Sequence, residues 1–312
     1  MTGGLLDLKT FVSHFKDINL NNVEEGTPIY SKRSINQGIT VGAYNLGCFL
    51  GACFTIFVGN ALGRRRTIMM GCTIMMIGAI LQSTSFTLAH LIVGRIVTGW
   101  GNGMNTSTVP TWQSETAKAH HRGKLVMIEG ALITGGITVS YWIDYGTCRP
   151  LLLVPGVFPF SRFLTLVADP TIAFSFIEES EVSWRFPLAF QIIFAFVIFF
   201  SILHLPESPR WLIMQGRNEE AISILESLND LPRDDPYIEN EFRSVKATVD
   251  EMSKGSFRSL FHMSEYREFH RVMLAYVNQM YQQISGINLI TYYVGQHCSL
   301  TPNVHQGEWN RC

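Results

Sequence analysis

Long apolar blocks broken by short charged connectors set the pattern of this chain. Residues 37–59 carry no charged side chain. As a helix they are long enough to cross a hydrocarbon core, which takes about 20 residues. Residues 67–84, 88–110, 125–143, 186–205 and 272–296 form five further blocks. One such helix fits inside a soluble core, but six predict a multi-pass, all-α membrane protein. Two blocks contain a formally charged residue. Arg95 is the only charge between Thr67 and Ser114, and Glu129 lies in the fourth block. A charge at bilayer depth costs roughly 3 kcal/mol unless it is paired, so position alone marks Arg95 for attention. Polar residues dominate 206–271. Ala221, Ile222, Ile224, Leu225 and Leu228 have helical spacing, which predicts an amphipathic helix over 218–228 and a second, polar-faced one over 235–252.

The connectors orient the spans. "GRRRT" (63–67) places three arginines after the first block, and "KAHHRGK" (118–124) places three cations after the third. "PESPRW" opens the polar segment after the fifth. With alternating spans all three fall on one side, and the positive-inside rule makes that side cytoplasmic. Residues 1–36 are then extracellular. They begin with no charged leader or apolar signal core, so one further span is expected upstream of Met1.

Composition agrees with this class. The chain is 47% hydrophobic and 16% charged, against about a quarter charged in soluble domains. A net charge of −1 with no basic stripe gives no reason to expect a nucleic-acid partner. Cys48, Cys53 and Cys72 lie within spans and read as small apolar packers. Cys148, Cys298 and Cys312 lie outside them, and no Cys or His spacing predicts a metal. No nucleophile–base set or phosphate loop is visible, so neither an enzyme nor a cofactor is expected.

Five motifs stand in a fixed order: "GNALGRRRT", "GRIVTGWGNG", "ETAKAHHRGK", "PESPRWL" and "QQISGINLITYY". Together they resemble the sugar-porter family of the major facilitator superfamily, nearest to fungal sugar and polyol transporters, including the glycerol:proton symporter group. The resemblance implies that the six blocks are helices two to seven of twelve. It implies alternating access to a central sugar or polyol site, with proton-coupled symport, in a plasma-membrane lipid bilayer. It implies that Gln282, Gln283 and Asn288 bind substrate hydroxyls and that Tyr292 and Tyr293 help close the outer gate. Amides suit such ligands because they both donate and accept; helix–helix adhesion is the structural alternative.

The same resemblance assigns Gly63, Arg64, Arg65, Glu115, Arg122, Glu207 and Arg210 to a cytoplasmic gate network. At residue level, Arg64 and Arg65 are read as cations meeting the exposed carbonyls of a helix end, and the alternative role is topogenic charge. Asn60 stands where the family often has an acid. Gly130, beside Glu129, stands where a sugar-facing glutamine is common. Gly99, Gly101 and Gly103 predict close helix approach. Arg95 matches an arginine that faces an acid on the family's first helix, and in proton-linked members that pair relays coupling. With that helix expected before Met1, Arg95 is expected to stand unpaired.

The implied organisation is 1–36 extracellular, 37–205 an incomplete amino-terminal bundle, 206–271 a cytoplasmic helical linker and 272–296 the first helix of the second half. Residues 147–173 break the motif order and read as a foreign insert of the kind a retained intron produces, and 297–312 leave the pattern. The fold expected is thus an incomplete major facilitator fold, and the fragment alone is expected to be inactive. A non-transporting sugar sensor of the same fold is the alternative function.

Overall fold

The computed structural model describes residues 9–20, 23, 26–118, 121–148, 182–233, 235–253 and 268–286. Among them the regular structure is helical. The elements are α1 (Lys9–His14), a 3₁₀ turn (Lys16–Ile18), α2 (Pro28–Leu62), α3 (Arg64–Ser83), α4 (Leu88–Thr116) and α5 (Arg122–Cys148). They continue with α6 (Val182–His204), α7 (Pro209–Met214), α8 (Asn218–Asn229), α9 (Pro236–Ser253) and α10 (Glu268–Ile284). The expected insert lies almost wholly outside the described residues.

Helix starts follow local chemistry rather than the edge of apolarity. Thr27 caps α2 by accepting from Tyr30 N at 3.3 Å, with Pro28 at the first helical position. The helix therefore begins nine residues before the uncharged block, and its first turns carry Lys32 and Arg33. Thr87 caps α4 in the same way through His90 N. α8 and α9 lie within one or two residues of the ranges their spacing predicts.

Among the described residues, four helices are long and apolar enough to cross a membrane: Pro28–Leu62, Arg64–Ser83, Gly123–Ser140 within α5, and Trp184–His204 within α6. α4 and the described part of α10 are not among them. Arg95, Glu115 and a run of Asn, Thr and Ser residues lower the hydropathy of α4. The reason is its position. α4 packs most extensively of all, with α2 on one side and α3 on the other, so its small and polar residues meet protein rather than lipid. α3 packs in turn on α6. The described part of α10 is 17 residues and stops at Ile284.

Glycines permit the central contacts. A Cβ on Gly99 or Gly103 would run into the α2 carbonyls of Tyr44 and Cys48, and one on Gly101 would meet Gly71 O of α3 at 2.5 Å. At the opposite end, Phe11, Phe15 and Ile18 are buried against Val41, Leu91, Trp184 and Leu188. Trp184 is the hub, with ring centroids 5.7 Å from Phe11 and 5.5 Å from Phe15 and His14. Arg33 donates to Asn19 O at 2.8 Å, and Asn36 to Asp17 O at 3.3 Å. The segment before α2 is thus pinned across α2, α4 and α6. Away from it, Trp211, Leu212, Ile213, Ala221 and Val249 join α7, α8 and α9 in a separate apolar cluster.

Candidate functional site

The ends of α2, α3, α4 and α6 meet the start of α7 in one polar network. Gly63 alone links α2 to α3, at φ 90° and ψ 167°. That conformation is nearly exclusive to glycine. A Cβ there would also lie 2.9 Å from Glu207 Oε2 and 3.1 Å from the Trp211 ring. Arg64, Arg65 and Arg66 are consequently the first turn of α3. Their own helix presents N–H groups and a positive dipole end there, so the exposed carbonyls expected to meet Arg64 and Arg65 have to come from another helix.

Glu207 offsets that unfavourable placement. Its Oε1 accepts from Arg64 N at 3.1 Å, Arg65 N at 3.2 Å and Ser208 N at 3.0 Å. A carboxylate 143 positions later in the chain thereby satisfies two donors that α3 cannot satisfy itself. The Arg64 guanidinium makes a forked contact with Glu115, Nε to Oε2 at 3.0 Å and an Nη to Oε1 at 3.2 Å. The two side chains are 11% and 6% exposed, so water screens this pair little. Arg65 donates to Leu203 O, near the carbonyl end of α6. Its charge does meet a helix C-terminus, on α6 rather than α2.

Three residues that sequence reasoning did not single out complete the network. Ser208 donates to Glu115 Oε2 at 2.6 Å and accepts from Trp211 N at 3.3 Å, capping α7. Ser before Pro at a helix start was the legible signal. Trp211 Nε1 donates to Asn60 O at 2.9 Å, and Trp112 Nε1 to Pro206 O at 3.2 Å. Asn60 also accepts from Arg64 through its side-chain oxygen at 3.3 Å. The amide in place of an acid thus still takes part. Arg210 lines a small cleft beside this network together with Glu115, Lys118 and Glu241. Arg122 is the first residue of α5, and its side chain lies outside the described residues.

Arg95 lies away from these ends, on the length of α4 that packs on α3. It is 3% exposed and does not lack an interaction partner, which corrects the expectation of an unpaired charge. One turn on, the buried Gln82 of α3 donates to Gly94 O at 3.3 Å and to Thr98 Oγ1, joining α3 to α4. Gln282 and Gln283 occur on α10 with exposed side chains. Asn288, Tyr292 and Tyr293 lie outside the described residues. Glu129 is half-buried on α5. Cys48 and Cys72 accept weak contacts from Asn102 and Asn105, and with Cys53 they are free thiols.

Comparison with known proteins bears on this arrangement. The family described as "Sugar (and other) transporter" matches residues 1–297. The major facilitator superfamily transporter mfsA of Aspergillus fumigatus is 34% identical over 300 residues, covering 94% of this chain and 50% of that protein. The sugar transporter STL1 of Saccharomyces cerevisiae is 37% identical over 266 residues, covering 83% of this chain and 42% of its own length. The chain spans about half the length of the curated relatives it matches. Among solved structures, the proton:xylose symporter XylE bound to a bromo-deoxyglucose superposes with a TM-score of 0.69 at 22% identity, covering 95% of this chain and 60% of that one. XylE from E. coli in a partially occluded, inward-open state gives 0.65 at 21%, covering 96% and 65%. The fold is that part of the major facilitator fold. With the family matched across nearly its whole length, the chain belongs to the sugar transporters of the major facilitator superfamily.

Proposed function

We propose that this chain is part of a carrier, not an enzyme, that moves a sugar or polyol across a membrane by alternating access. The observation that carries the reading is the assembled Arg64–Glu115–Ser208–Glu207 network. It ties four helix ends to the linker on the face with most arginines. A network of this kind closes the cytoplasmic mouth, and parting Arg64 from Glu115 opens it. The structure described is then the outward-facing arrangement.

Gln282, Gln283 and Asn288 bind substrate hydroxyls in this scheme, and Tyr292 and Tyr293 close over them from outside. Two amides exposed on one helix supply the donors and acceptors that a polyhydroxylated ligand needs. Substrate occupies the space between two helical halves near the midplane. Arg95 couples transport to a proton: a buried guanidinium on α4 holds an acid ionised until a proton displaces it. STL1 and the fructose and glucose transporters of Schizosaccharomyces pombe are named as sugar carriers, and XylE as a proton symporter. These names support the substrate class and the coupling ion.

The test is uptake of labelled hexose and glycerol by transporter-null cells expressing the protein that carries this sequence. Saturable uptake that falls at least tenfold in Gln282→Ala supports the reading. Such a drop corresponds to about 1.4 kcal/mol of lost substrate binding. Substrate binding without any movement across liposomes would replace the carrier with a sensor.

A further inference from the structure

We propose that the cleft between the start of α3, the end of α6 and the start of α8 binds the phosphate of an anionic phospholipid headgroup. The proposal rests on the reading that α3 and α6 cross a bilayer. The cleft holds ≈ 540 Å³ and combines two kinds of wall. Arg65, Arg66 and Arg217 supply positive charge, and Met69, Leu203 and Ile224 supply apolar surface. Its depth is set by the spans that border it. Arg65 and Arg66 begin a membrane-length helix, and Leu203 stands one residue before the end of another. Both borders therefore fall where hydrocarbon gives way to headgroups.

Charge decides the occupant. Glu207 and Glu220 also line the cleft. Glu207 spends its oxygens on the N–H groups of Arg64, Arg65 and Ser208. Glu220 holds Arg217 in place through Nε at 2.9 Å and Nη at 2.7 Å. Arg66 is exposed. Three guanidinium groups against two engaged carboxylates leave a surplus of cationic donors. The planar fork of arginine matches phosphate oxygens. The apolar wall beside it takes the glycerol and the first carbons of an acyl chain, which a free anion lacks. Arg65 and Arg217 are pre-positioned by Leu203 O and Glu220, so little side-chain order is lost on binding.

The experiment reconstitutes the full chain in nanodiscs of phosphatidylcholine with a minority of phosphatidylinositol and counts co-retained lipid by native mass spectrometry. Phosphatidylinositol is expected to be retained over phosphatidylcholine. Each arginine near an anionic headgroup is worth roughly fivefold in retention. Arg66→Gln, an exposed change that spares the fold, is therefore expected to lower retention about fivefold, and the Arg66→Gln/Arg217→Gln pair about thirtyfold. Arg243→Gln, an exposed arginine on α9, is expected to leave it unchanged. Equal retention of the two lipids, or unchanged retention in Arg66→Gln, overturns the proposal. Displacement by excess inorganic phosphate also overturns it, by showing a soluble-anion site. Protease protection in vesicles separates the two readings: α3 and α6 protected with no lipid preference sinks the cleft alone, whereas unprotected α3 and α6 sink the membrane reading beneath it.

Discussion

Single residues carry the network because each performs a task that its neighbours cannot. Arg64 and Glu115 face each other with little water between them, so removing one leaves the other buried and uncompensated. Glu115→Ala is expected to destabilise the fold by about 3 kcal/mol, read as a lower thermal midpoint in detergent. The Arg64→Met/Glu115→Leu pair is expected to recover much of that loss, because no charge is then left stranded. Gly63→Ala places a side chain in a backbone region reserved for glycine and against Glu207. A cost of about 1–3 kcal/mol is expected, and an unchanged midpoint would refute the strain. By contrast, the Arg243–Glu239 pair is 69% and 63% exposed. Arg243→Ala should change stability by less than about 0.5 kcal/mol.

At the scale of elements, α4 is the organising helix. Its glycines let α2 and α3 come close on two sides, and its polar residues are hidden by that closeness. Gly103→Val drives a branched side chain into the α2 backbone at Cys48. The expected result is separation of α2 from α4, with a cross-link between the native Cys48 and an Asn102→Cys, whose side chains meet at 3.8 Å, lost in the variant and formed without it. The small-residue run was legible in the sequence as a close-packing surface, because glycine spacing on a helix is periodic. Hydropathy underrated the same helix as a span, since that measure assumes contact with lipid. Helix starts were less legible: Thr27–Pro28 signals a start in polar sequence that a search for apolar blocks passes over.

For the molecule as a whole, the segment before α2 is a structural clasp. Phe11, Phe15 and Ile18 fill a pocket built by α2, α4 and α6 around Trp184. Trp184→Ala is expected to cost about 3–5 kcal/mol and to expose residues 9–18 to limited proteolysis before the helices unfold. Protection equal to the unmutated chain would show that the clasp has other anchors. At the opposite end, the linker helices α7, α8 and α9 share their own apolar cluster and are joined to the spans through Ser208, Trp211 and Glu207. The Arg217–Glu220 and Arg243–Glu239 pairs of the linker, at helical spacing, are exposed.

The sequence by itself determined the class of this protein. Uncharged helix-length blocks, cations in the connectors and five ordered motifs led to an all-α membrane fold and a transporter family, because backbone satisfaction in lipid permits few structures. Local periodicity was also enough for α8 and α9. The partners of the charges at the helix ends were decided only by the tertiary structure. Arg64, Arg65 and Arg66 read alike in the chain, yet one pairs with Glu115, one meets the end of α6 and one is exposed. Glu207 caps a helix 143 positions away, and Arg95 is enclosed where isolation was expected. Ion pairing between elements acts across space at a few ångströms and is indifferent to separation along the chain, so no spacing rule reaches it.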